Sequence, residues 1–119
     1  TGAAGKLLLA YQGQATIHNY FKIPPEPHTP LTVTGEARFQ NIARDIRSQG
    51  YAFDAGEFIP QVGAVACPVR GAGGRVTAAV SIAYPQAIFR SERLPGLVAL
   101  LRNATEGLSA HMAQKNTSF

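Results

Sequence analysis

Ala64-Val65-Ala66-Cys67-Pro68-Val69, then Gly71-Ala72-Gly73-Gly74, then Val76-Thr77-Ala78-Ala79-Val80-Ser81-Ile82 is the stretch that decides the fold. Two apolar runs of β-type residues flank a glycine-rich turn, which predicts an antiparallel hairpin. Strand side chains alternate between faces. On the second run Val76, Ala78, Val80 and Ile82 share one face, and Thr77, Ala79, Ser81 and Ala83 share the other. On the first run Val65, Cys67 and Val69 oppose Ala64 and Ala66. One sheet face is therefore bulky and aliphatic. The other is made of small residues with a hydroxyl, either because a ligand rests there or because a helix packs closely.

Outward from the hairpin the periodicity turns helical. Leu94, Leu97, Leu101, Ala104 and Leu108 predict a long amphipathic helix over 92–112, with Pro95 tolerated in its first turn. Upstream, Phe39, Ile42, Ala43 and Ile46 form one helical face, with Thr34 as the expected N-cap and Gly50 as the stop. Tyr51 to Phe53 is a short strand candidate. Ile23 to Pro30 contains four prolines and excludes a helix or a central strand; it is read as an extended surface connection. Residues 14–22 and 1–11 predict two further helices, the latter from Ala4, Leu7, Leu8 and Tyr11. This order gives an α+β pattern, an antiparallel sheet covered by helices. A single domain over 1–113 is expected, with 114–119 as a frayed tail.

Composition narrows the function. The chain has 119 residues, 45% apolar and 15% charged, which suits one ordinary hydrophobic core. No apolar run is long enough for a membrane helix. The net charge of +4 is spread from Lys6 to Lys115 without a dense basic stripe, so the footprint of a nucleic-acid reader is weak. The lone Cys67 excludes an internal disulfide and fits a reducing, cytoplasmic setting. The start, Thr1-Gly2-Ala3-Ala4-Gly5, lacks both Met and a leader pattern, and the chain reads as a portion of a longer protein.

Candidate chemistry is sparse. The small residues at the first helix start can expose backbone N–H groups to a carboxylate or phosphate, or can simply pack closely. Asp54 and Glu57, in a loop after the first strand, either accept from a ligand hydroxyl or cap a turn. His18, His28 and His111 lack metal-ligand spacing, and neither a metal nor a cofactor is expected. Cys67 belongs on the aliphatic face as a core residue rather than a nucleophile. No catalytic residue is assigned.

Three motifs taken together resemble the effector-binding domain of IclR-type bacterial transcription regulators. They are Gly2-Ala3-Ala4-Gly5-Lys6-Leu7-Leu8-Leu9-Ala10; Ile46-Arg47-Ser48-Gln49-Gly50-Tyr51-Ala52-Phe53-Asp54 with Glu57; and the hairpin itself with Gly74-Arg75-Val76. The resemblance runs to about Met112. It implies a GAF-like (profilin-like) antiparallel sheet of which this chain carries a C-terminal, incomplete portion. It also implies a non-enzymatic ligand sensor, assembled as a homodimer or homotetramer, contacting DNA only through an N-terminal helix-turn-helix that this chain does not match. Small carboxylates are bound in that family between the sheet and the helix carrying the glycine-alanine motif. By motif, Ala3 and Ala4 supply anion-holding backbone positions, Asp54 is the loop acid, Val62 and Ala64 form a wall, and Ser81 and Ala83 form the floor. Members that bind glyoxylate or pyruvate have Cys at the Ala64 position and Ser at the Ala83 position. Alanine at both implies a larger acid with an apolar or aromatic body. The alternative is a GAF-like domain used only for oligomerisation.

Overall fold

The computed structural model describes residues 2–87 and 91–117. Its elements are α1 (Ala3–Ala10), α2 (Gln14–Phe21), α3 (Glu36–Gln49), β1 (Ala52–Ala55), β2 (Val62–Arg70), β3 (Val76–Pro85) and α4 (Leu94–Thr117). The strands form one antiparallel sheet in the order β1-β2-β3. The fold is α+β, as the sequence predicts. Helix α4 continues to Thr117, past the expected end at 112.

The register places the two kinds of sheet residue as alternation requires. Asp54, Ala64 and Ala83 form one row across the sheet, and Ala52, Ala66 and Ser81 the next. Both rows lie on the small-residue face, where Ala52 and Ala66 are buried in one cluster with Ala3, Leu7 and Ala10 of α1 and Phe39, Ala43 and Ile46 of α3. On the opposite face Val65 and Cys67 pack with Val98 and Leu101 of α4, against Val80 and Ile82. Small side chains let α1 settle close to the sheet, whereas α4 meets branched ones.

Three details differ from the expectations. Simple alternation puts Val76 on the aliphatic face, but it packs against the α1 cluster. The cause is a β-bulge: Val69 pairs with Ala78 and Arg70 with Val76, so Thr77 is an extra residue and the alternation slips before it. The N-cap of α3 is Gly35, with no side-chain cap bond, rather than Thr34. Strand β1 begins at Ala52 and extends to Ala55, one residue later at its start than Tyr51. Gly50 does end α3, in the left-handed conformation that glycine adopts without strain (φ 82°).

Gly63 is fixed by packing. A Cβ placed on it would lie 2.5 Å from Cε2 of Tyr84, its cross-strand partner. Gly63→Ala is expected to cost about 1–3 kcal/mol by forcing that ring aside, measurable as a lower urea midpoint at unchanged slope. An unchanged midpoint would refute the contact.

Candidate functional site

Helix α1 places the first two candidates. Ala3 is its first residue, buried at 2% exposure, and Ala4 is half-buried. Gly2 precedes them at φ 82°, ψ 164°, a conformation open essentially to glycine alone. The backbone thereby turns sharply into the helix, and the first-turn N–H groups have no side-chain cap. The Gly2 carbonyl accepts from Lys6 N at 3.0 Å, which closes the first turn.

The other candidates lie together on the small-residue face. Asp54, Ala64 and Ala83 are consecutive across the strands, Ser81 lies in the adjoining row, and Val62 sits beyond Ala64 opposite Pro85. Strands are about 4.8 Å apart, so these residues, on three neighbouring strands, form a patch about 10 Å wide. Their burial differs. Ala64 and Val62 are half-buried, while Ser81 and Ala83 are exposed. Helix α1 thus packs over all three strands, Val76 and Ala79 of β3 included, while Ser81 and Ala83 on the same face stay open.

Asp54 is 4% exposed, and its Oδ1 accepts the backbone N–H of Glu57 at 2.7 Å. This is a side chain ordering its own loop. Tyr84 has its hydroxyl pKa pushed up, first by burial and then by the negative charge of Asp54.

The same loop is held by residues that the sequence reading did not single out. Lys6 is 7% exposed; its Nζ donates to the Phe53 carbonyl and reaches Glu57 Oε2 at 2.7 Å. Buried Thr29 donates from Oγ1 to the Gly56 carbonyl at 2.7 Å, and buried Thr32 donates to the Glu57 carbonyl. The proline-rich connection is therefore a clamp on the loop. A signal was present for Lys6, which lies three residues from Ala3 and four from Ala10, on the buried face of α1.

Cys67 is fully buried on the α4 face, and burial pushes its thiol pKa up, with Arg102 opposing more weakly. A thiol so placed is a poor nucleophile. His18 pairs with Glu36 at 2.9 Å and His28 stacks edge-on with Phe58. Among the described residues no group of three His, Cys, Asp or Glu is placed to hold a metal. No described helix is long and apolar enough to cross a membrane.

A sheet covered by α1 on one face, with α3 packed on α1, and by α4 on the other, with Ser81 and Ala83 left exposed on the α1 face, defines a helix-covered α+β domain with room on one side of its sheet. The chain belongs to the family described as bacterial transcriptional regulator IclR C-terminal, which it matches over residues 1–110. The HTH-type transcriptional regulator KdgR of Escherichia coli is 30% identical over 118 residues, or 98% of this chain and 45% of that protein. The solved C-terminal domain of E. coli KdgR superposes with a TM-score of 0.85 at 31% identity, covering 93% of this chain and 68% of that one. An Acinetobacter PobR transcription factor inducer-binding domain, solved as a double mutant in complex with 3-hydroxybenzoic acid, superposes at 0.83 and 28% identity, covering 90% and 62%. The chain spans less than half the length of the curated relatives it matches.

Proposed function

We propose that this domain is a non-catalytic sensor that binds a small organic acid on the open patch of the small-residue face. The ligand carboxylate meets the first-turn N–H groups of α1 at Ala3 and Ala4, where the helix dipole favours negative charge. Ser81 donates to it. Ala64, Val62 and Ala83 contact the body of the ligand, and Asp54 holds the neighbouring loop. Binding biases the arrangement of protomers in a homo-oligomer, and thereby the DNA-binding domains of the whole regulator. A ligand does this only through its different affinity for the two arrangements.

The observation that supports this reading is the exposure of Ser81 and Ala83 on the same face against which α1 packs. A domain used only for association needs no such gap, and a filled one would favour that reading. The methyl groups of Ala64 and Ala83 offer no hydrogen bond to a two- or three-carbon oxo acid. An acid with an apolar or aromatic body fits them better, and a structural relative is an inducer-binding domain solved with a hydroxybenzoic acid. Tight binding of glyoxylate through Ser81 would contradict this preference.

A thermal-shift screen of aliphatic and aromatic carboxylic acids tests the reading, because a ligand of the native state raises the melting temperature with dose. For an acid that shifts the wild type, Ser81→Ala is expected to weaken binding by about tenfold, the worth of one charge-assisted hydrogen bond. Without ligand the exposed Ser81 side chain should change stability little. Unaltered affinity would remove Ser81 from the site.

A further inference from the structure

A cavity of about 440 Å³ lies where the C-terminal ends of α1 and α3 meet the end of β2 and the middle of α4, and none of the patch residues lines it. Three arginines from three elements do: Arg47 on α3, Arg70 closing β2, and Arg102 on α4. Each is held by one backbone carbonyl. Arg47 Nη1 donates to Ala10 O at 2.8 Å, Arg70 Nη1 to Gly74 O at 3.0 Å, and Arg102 Nη2 to Gln49 O at 2.9 Å. The Arg70 guanidinium also stands 5.3 Å over the Tyr11 ring. A guanidinium carries five N–H donors, so most remain unspent. Among the described residues none of the three forms an ion pair.

Helix capping explains part of this. Arg47 bonds the last carbonyl of α1 and Arg102 the last of α3. Those helix ends carry about half a negative charge each, and Glu106 is the sole acid on the lining. Three guanidinium charges exceed that total, and Arg70 caps neither helix. Ser109 Oγ accepts the Arg70 backbone N–H at 2.8 Å, which leaves its hydroxyl proton for an acceptor in the cleft.

We propose that this cleft is a second binding site, for a small multiply charged oxyanion of the phosphate-ester type. Guanidinium forks match phosphate oxygens two at a time, and the fixed arginines need little ordering when the anion arrives. The volume exceeds that of a bare phosphate and suits a phosphorylated small molecule.

The test is calorimetric titration of inorganic pyrophosphate into the chain, at an ionic strength held constant with chloride, for the wild type and Arg70→Gln. Arg70 is exposed, and its guanidinium touches only the Gly74 carbonyl and the face of the half-buried Tyr11 ring, so the variant should retain the fold, checked by circular dichroism. Saturable binding by the wild type, weakened about tenfold or more by Arg70→Gln, is the expected result. Absence of binding by the wild type, or equal affinity in both, would overturn the proposal. Neither result bears on the sheet patch, of which Arg70 is not a part.

Discussion

Lys6→Met should lower stability by about 3–5 kcal/mol, the usual consequence of removing one member of a buried ion pair. The substitution keeps most of the side-chain length and strips the charge. Glu57, whose side chain is 12% exposed, then keeps a carboxylate without its cation, and the Phe53 carbonyl loses its donor. For a domain of this size the loss corresponds to a fall in melting temperature of at least about 10 °C. The double variant Lys6→Met, Glu57→Gln should recover part of it, since the uncompensated charge is gone. Both are read by thermal unfolding at neutral pH. A fall of only a degree or two would mean that the pair behaves like a solvent-exposed one. The same variants should loosen the Asp54–Glu57 loop, because Lys6 joins it to α1. Hydrogen exchange at Gly56 and Glu57 would register that loosening.

Leu7→Ala comes second in size. Leu7 is fully buried, in the cluster that joins α1 to Ala52 and Ala66 of the sheet and to Phe39 and Ile46 of α3. Its truncation removes apolar contact and leaves a cavity. The small alanines on the facing strands cannot fill that cavity by changing rotamer. A cost of about 2–5 kcal/mol follows, toward the upper end if the site stays rigid. Chemical denaturation should show the loss as a lower midpoint, and a loss below about 1 kcal/mol would mean that α1 collapses onto the sheet to close the gap. That collapse would also shift Ala3 and Ala4 relative to Ser81, so an acid that binds the wild type should bind this variant more weakly.

The hairpin and its two chemically different faces were legible because period-2 alternation survives in Ala64–Val69 and Ala78–Ala83 with little interruption. That alternation sets Cys67 on the aliphatic face and Ala66 on the small-residue one; which helix covers each face, α4 or α1, is seen only in the structure. Alternation misplaces Val76, since a bulge leaves no mark in hydrophobicity when Arg70, Gly71 and Thr77 offer no contrary pattern. The α3 N-cap also differs from the sequence expectation. Thr34 is the better capping side chain, but the helix enters one residue later through Gly35, without a side-chain bond. The clamp of Thr29 and Thr32 on the loop was invisible because Thr29 lies among prolines and Thr32 just past them, where helical and strand periodicities are absent. Its partners are carbonyls more than twenty residues away. The candidate site residues came from a motif resemblance and from strand alternation. The structure adds that Ser81 and Ala83 are uncovered while Asp54 is turned to its own loop.

The central claim is that an organic acid occupies the exposed patch formed by Ser81 and Ala83 on the small-residue face. Ala83→Leu probes it most directly, because an exposed alanine can take a larger side chain without overpacking the core, and the added bulk would fill the patch. The measurement is the melting temperature of wild type and Ala83→Leu across a concentration series of aliphatic and aromatic carboxylic acids. The account predicts a dose-dependent rise in the wild type with at least one acid, absent or strongly reduced in Ala83→Leu. An equal rise in both proteins, or no rise in the wild type with any acid, would contradict it.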